Sequence, residues 1–215
     1  MIMTLAMGVC GCMKDNKSNG AEEAKRIALE YLNKNYDDTF TALGYTSNNW
    51  AYNYESIRFN SQRYDDAIEV RIYNENGDTT FKDDYFKLTM KTDAEDYFAA
   101  IASKYGYKTE TKVNFAFFEL PEGIDGNSKF SEYVSTGKCD IEVYYISNFA
   151  FDEYSVNSIL NDVCNAKIMG YFRFIETNDN NLLAQYSIDE IVNEKSDSII
   201  SKQRYTIDTD YKVVQ

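Results

Sequence analysis

The chain contains no histidine, has cysteines at positions 10, 12, 139 and 164, and carries three Asp-Asp pairs: Asp37-Asp38, Asp65-Asp66 and Asp83-Asp84. The lack of histidine removes Ser-His-Asp and Cys-His nucleophiles, His-ligated metals and the usual neutral-pH general base. Two carboxylates can support glycoside hydrolysis or hold calcium. Adjacent residues serve either role poorly, because neighbouring side chains on a strand point to opposite faces. No D-x-[DN]-x-[DN]-G loop is present. Each pair lies near an expected element boundary, where Asp is favoured for turn and cap hydrogen bonds, so we read all three as structural. The phosphate-cradling patterns G-x-x-x-x-G-K-[ST] and G-x-G-x-x-G are also absent, leaving nucleotide chemistry without a seat. From these patterns we assign no catalytic, cofactor-binding or metal-ligating residue.

Two further groups bear on chemistry. Cys139 shares strand parity with Ile141, Val143 and Tyr145, while Cys164 continues the helical stripe Val156, Ile159, Leu160 and Val163. Both should face the core. A Cys139-Cys164 disulfide outside the cytoplasm would be worth roughly 3 kcal/mol. Two separate buried thiols behaving as small apolar side chains are favoured instead, and neither has the C-x-x-C neighbour of a redox site. The stretch "NWAYNYE" puts Trp50, Tyr52 and Tyr54 on one face if extended. That face is either a half-buried sheet face or an aromatic platform for a sugar or peptide. If exposed, it is the first candidate binding patch.

The elements that must position these residues follow from hydrophobic periodicity. Glu22 to Asn35 carries apolar residues at Ala24, Ile27, Ala28, Tyr31 and Leu32, one helical stripe with an acidic start suited to the helix dipole. Strands follow in "TFTALGY", "YESIRF" and "AIEVRIY", and Asn76-Gly77 predicts a hairpin turn. A second helix spans Asp93 to Tyr105, and "KVNFAFFEL" returns to strand. The lone proline, Pro121, with Gly123 and Gly126, marks the expected boundary. Beyond it we expect a short helix at 129–135, a strand at 139–146, a helix at 153–167, a strand at 171–176, a helix around 188–200 and a final strand "QRYTID".

The 215 residues are 44% hydrophobic, so the chain should be globular. A net charge of -13 argues against nucleic acid as a partner, because phosphate-backbone binding depends on Lys and Arg. It argues equally against polybasic attachment to an anionic membrane. Any membrane contact must be hydrophobic or covalent.

The opening "TLAMGVCGCMKDNKSNG" supplies one. An apolar run, small residues, a cysteine and a polar linker resemble the end of a bacterial lipoprotein signal peptide, with "VCGC" as the lipobox. The resemblance makes Cys12, preceded by Gly11, the lipidated residue and implies an upstream basic n-region. An ordinary apolar core segment and a pair of metal-binding vicinal thiols are the other readings of these residues. Two or more acyl chains make a stable anchor, and no other segment approaches a spanning helix.

One helix over antiparallel strands, with the local look of "ALEYLNKNY" and "FKDDYF", resembles the cystatin-like α+β folds of small Gram-positive lipoproteins of unknown function. The Q-x-V-x-G hairpin of cystatin-type inhibitors is missing, so protease inhibition does not carry over. The expected organisation is an α+β chain. Residues 1-20 are signal remnant and tether, 21-120 are an N-terminal helix packed on an antiparallel sheet, and 121-215 are a second, smaller α+β unit. The leading functional reading is a non-enzymatic module, lipid-anchored on the extracytoplasmic side of the cell membrane and binding a protein, peptide or glycan. The alternative is a carboxylate-dependent envelope glycan hydrolase.

Overall fold

The computed structural model describes residues 16–193 and 197–214. Cys10 and Cys12, and with them the lipidation expectation, lie outside the described residues. The fold is α+β, with two mostly antiparallel sheets in two compact units, Met1–Lys82 and Asp83–Gln215.

The first unit opens with α1 (Asn16–Asn35) and continues through β1 (Phe40–Thr46), β2 (Tyr54–Ser61), β3 (Asp66–Glu75) and β4 (Asp78–Asp83). These strands form one sheet in the order β1-β2-β3-β4. Strict alternation along β2 and β3 turns Ile57, Phe59, Ile68, Val70 and Ile72 inward, where each is buried. Helix α1 lies across β1, β2 and β3 and buries Ala24, Ala28 and Leu32. Small residues four apart let the helix approach the sheet closely, and each large apolar side chain fully buried contributes about 1.5–3 kcal/mol. The β3–β4 turn is the Asn76-Gly77 pair, both at positive φ (53° and 90°), as a type I′ hairpin requires.

Two expectations change here. The polar stretch expected as tether is helical from Asn16, because a helix already nucleated extends at one hydrogen bond per residue. Glu22 and Glu23 therefore sit beyond the first turn. They pair with Lys25 (2.8 Å) and Arg26 (2.6 Å) rather than with the helix dipole.

The second unit comprises α2 (Phe86–Thr89), α3 (Lys91–Lys104), β5 (Glu110–Phe115), α4 (Phe130–Ser135), β6 (Cys139–Ser147), α5 (Glu153–Asn165), β7 (Ile168–Thr177), α6 (Leu182–Gln185), α7 (Ile188–Asn193), β8 (Ile199–Ile207) and β9 (Val213–Val214). Its sheet runs β5-β6-β7-β8-β9. All pairings are antiparallel except β6–β7, which are parallel and joined through α5. One face holds the main core, including Phe98, Phe130, Val143, Tyr145, Leu160, Phe172 and Phe174. On the other face Tyr144, Ile146 and Ile175 are covered by Leu182 of α6 and Ile191 of α7. With apolar cover on both sides, the second half of β6 reads as a continuous apolar run.

The division therefore falls after Lys82, not at Pro121, and the second unit is the larger one. The reason is β5, which pairs with β6 and packs against α3, so residues 83–120 belong to the C-terminal unit. Strand β5 stops at Phe115, short of the expected Leu120. Of the helix expected around 188–200, α7 covers Ile188–Asn193, and Ile199 already pairs with Thr177 in β8.

Candidate functional site

The aromatic stretch "NWAYNYE" is not one extended segment. Asn49 and Tyr52 exchange backbone hydrogen bonds (3.0 and 3.3 Å), and the Asn49 side chain accepts from the Ala51 amide at 2.8 Å. This closes a tight turn between β1 and β2 that carries Trp50, 99% exposed, at its tip. Tyr52 is also exposed, and Tyr54 begins β2 half-buried. A half-buried sheet face is found at Tyr54 only, while Trp50 and Tyr52 lie exposed in the turn.

The β2–β3 register sets the rest of the site. Tyr54 opposes Tyr73, Ser56 opposes Arg71 and Arg58 opposes Glu69, all on the face opposite the Ile57 and Val70 core. Tyr52, Tyr54 and Tyr73 form a continuous series of rings, with centroids 5.4 and 5.3 Å apart and tilts of 46° and 52°. Arg71 lies 4.6 Å from the centre of the Tyr54 ring and Lys82 5.3 Å from that of Tyr73, both within cation–π range. The Arg71 Nε donates to Glu69 Oε1 at 2.8 Å. Partial burial alone would lower the Arg71 pKa, but the Glu69 carboxylate outweighs it and the net shift is upward. Burial raises the Tyr54 hydroxyl pKa.

Between these groups is a cavity of about 250 Å³ lined by Thr46, Ser47, Tyr52, Tyr54, Ser56, Glu69 and Arg71. It combines aromatic faces, hydroxyls, one carboxylate and one guanidinium, an inventory suited to recognition. Glu69 is the one acid among its lining residues, so the acid–base pair of a glycosidase is not assembled there. Glu69, Arg71 and Tyr73 went unnoticed in the sequence. Their signal was the outward parity left once Ile68, Val70 and Ile72 are assigned inward, but only the register shows that they meet Tyr54.

In the second unit, a crevice of about 430 Å³ opens where β6 and β7 end, lined in part by Glu110, Ser147, Asn148, Phe149, Thr177 and Asp179. Three of its polar side chains, those of Ser147, Thr177 and Asp179, serve the local loops. Ser147 Oγ accepts from the Phe149 amide, Thr177 Oγ1 accepts from the Asp179 amide and donates to the Ser198 carbonyl, and the Asp179 oxygens accept from the Asn181 amide and the Gln185 side chain.

The Asp pairs also hold loops. Asp38 Oδ1 accepts from the amides of Thr39 and Arg63, and Asp38 Oδ2 accepts from the Ser61 hydroxyl. Asp66 caps the Ala67 amide, Asp83 accepts from the Tyr85 amide, and Asp84 pairs with Lys87 at 3.1 Å. Cys139 and Cys164 are separate free thiols, with no disulfide between them. Burial pushes both thiol pKa values up, away from the thiolate a nucleophile needs. Among the described residues, no His, Cys, Asp or Glu group could hold a metal ion, and no helix is long and apolar enough to cross a membrane.

Compared with protein-family models, with curated proteins and with solved structures, the chain matches none.

Proposed function

We propose that this chain is an extracytoplasmic lipoprotein, anchored through a lipid on Cys12, whose folded part is a non-enzymatic binding module. The single observation that carries the binding reading is the exposed aromatic cavity at Tyr52 and Tyr54, ringed by Glu69 and Arg71. Its face is turned away from the core of its own unit, and exposed apolar surface rimmed by polar groups marks interaction sites. The lipobox resemblance of "VCGC" supports the anchor. The order of the first unit, one helix followed by a four-stranded sheet, supports the likeness to cystatin-like folds. Recognition is favoured over hydrolysis because the aromatic cavity has one lining carboxylate, and of the two acids that line the other crevice, Glu110 and Asp179, the latter engages both oxygens with its own loop.

The anchor is tested by metabolic labelling with a palmitate analogue, comparing the wild-type gene with Cys12→Ala and Cys10→Ala. Label retained by Cys10→Ala and lost by Cys12→Ala is the expected result. An unlabelled wild type overturns the anchor.

A further inference from the structure

We propose that the β1–β2 turn is a second membrane contact of this chain, seating the Trp50 indole and the Tyr52 ring in the headgroup region of a lipid bilayer. This rests on the anchored reading above and extends it from the lipid to the folded part. Residues 39–54 carry no charged side chain, the longest such run in the sequence, and the turn lies within it. In a chain of net charge -13, this is the stretch that lipid phosphates repel least. Glu75, which accepts from the Asn53 side chain at 3.4 Å, makes a zwitterionic surface a better partner than an anionic one. Trp and Tyr collect at membrane interfaces because each ring has an apolar body and a polar tip. Trp50 is 99% exposed and Tyr52 51%, so both present that surface without rearrangement.

The bonding within the turn lowers the cost of leaving water. The Asn49 amide donates to the Tyr52 carbonyl, the Tyr52 amide to the Asn49 carbonyl and the Ala51 amide to Asn49 Oδ1, so these groups carry their partners with them. A glycan or peptide platform needs polar groups fixed beside the ring, but Trp50 does not line the 250 Å³ cavity. A protein hot spot sets its ring among packed neighbours, and an indole 99% exposed has almost none. A bilayer interface asks for neither. The chain path also favours it. Helix α1 ends at Asn35 and β1 begins at Phe40, while Ala24, Ala28 and Leu32 are buried over the sheet, so the helix runs back along the strands. Its start therefore lies toward the end of the unit where β1 runs out into the turn, and a tether upstream of Asn16 holds that end nearest the membrane. One turn binds weakly by itself, and the tether supplies the local concentration it lacks.

The experiment holds the full chain, through an N-terminal hexahistidine tag, on phosphatidylcholine vesicles containing a nickel-chelating lipid, with ordinary or brominated acyl chains. Trp50 is the one tryptophan, so its emission reports the turn alone. On the vesicles the emission should shift to the blue, acrylamide quenching should fall about twofold or more as the indole leaves water, and the brominated chains should quench it. Ala51→Glu, which puts a charge on the exposed turn, should abolish all three changes while keeping the unfolding midpoint in solution. Wild-type emission on the vesicles that matches emission in solution overturns the proposal, and so do changes that survive Ala51→Glu. Emission unmoved by the vesicles but shifted by chitotetraose assigns the turn to a soluble glycan and overturns the membrane contact. Because the tag does the tethering, this result is independent of Cys12. The palmitate label reads the anchor separately, so either contact can fail without the other.

Discussion

Tyr54 and Tyr73 face each other across the β2–β3 ladder with ring centroids 5.3 Å apart, and Arg71 lies over the Tyr54 ring at 4.6 Å. Cross-strand aromatic pairs of this kind stabilise a sheet while presenting their outer surface to a ligand. A double-mutant cycle of Tyr54→Ala and Tyr73→Ala in urea unfolding should give a coupling of about 0.5–1 kcal/mol. A coupling indistinguishable from zero would mean the two rings act separately.

Trp50 contributes nothing to the core, being 99% exposed at the tip of its turn. Trp50→Ala should therefore change stability by no more than about 0.5 kcal/mol. Because it is the one tryptophan in the chain, its emission should be red-shifted and quenched by acrylamide nearly as well as free tryptophan. Emission shielded from acrylamide would contradict an exposed turn.

Gly170 in β7 sits at φ +124°, and a Cβ built there would lie 1.7 Å from the Ile141 carbonyl oxygen. The clash is with the backbone of the neighbouring parallel strand, which cannot rotate away. Gly170→Ala should cost about 3 kcal/mol or more from combined overpacking and backbone strain. Gly44→Ala, with nothing within 4 Å of the added atom, is the control and should be far milder. Equal effects at the two positions would contradict the parallel β6–β7 pairing.

The Tyr145 hydroxyl is fully buried against Phe174 and has no hydrogen-bond partner among the described residues. An unsatisfied buried donor costs about 1–3 kcal/mol. Tyr145→Phe should raise stability by about 1 kcal/mol, visible as a higher urea midpoint at unchanged slope. A drop in midpoint would reveal a partner for this hydroxyl in solution.

Asp152 caps α5, accepting from the Ser155 amide at 2.9 Å and hydroxyl at 2.7 Å and from the Tyr107 hydroxyl at 2.8 Å. These bonds, the Ser155 amide foremost, hold its pKa down at about 2 against an ordinary 3.8. The unfolded chain then binds more protons across that window. The contribution is complete above the unfolded value and is lost as pH falls through about 2. Asp152→Ala should be less stable than wild type at neutral pH, with the gap closing between about pH 4 and pH 2. A gap that persists unchanged at pH 2 would assign the loss to packing.

How much of this was legible in the sequence depended on the range of the information. Helix α3, strands β2 and β3, and the Asn76-Gly77 turn were readable because each is set within about ten residues. A 3.6-residue stripe, a two-residue alternation and a pair able to take positive φ are local properties. The missing histidines and the acidic balance likewise excluded whole chemistries without any coordinates. The break after Lys82 was not readable, because β5 commits to the C-terminal sheet through pairing with β6, some thirty residues on, across the apparent punctuation of Pro121. The parallel pairing of β6 with β7 had no signal beyond apolar runs flanking a helix.

The candidate site divides the same way. The sequence by itself supplied Trp50, Tyr52 and Tyr54 and left open whether their face was buried. Only the tertiary structure turned the loop outward and brought Glu69, Arg71 and Tyr73 of β3 against them. Strand register is fixed by which side chains the core demands inward, and that demand is made by the whole unit, with α1 lying across the sheet.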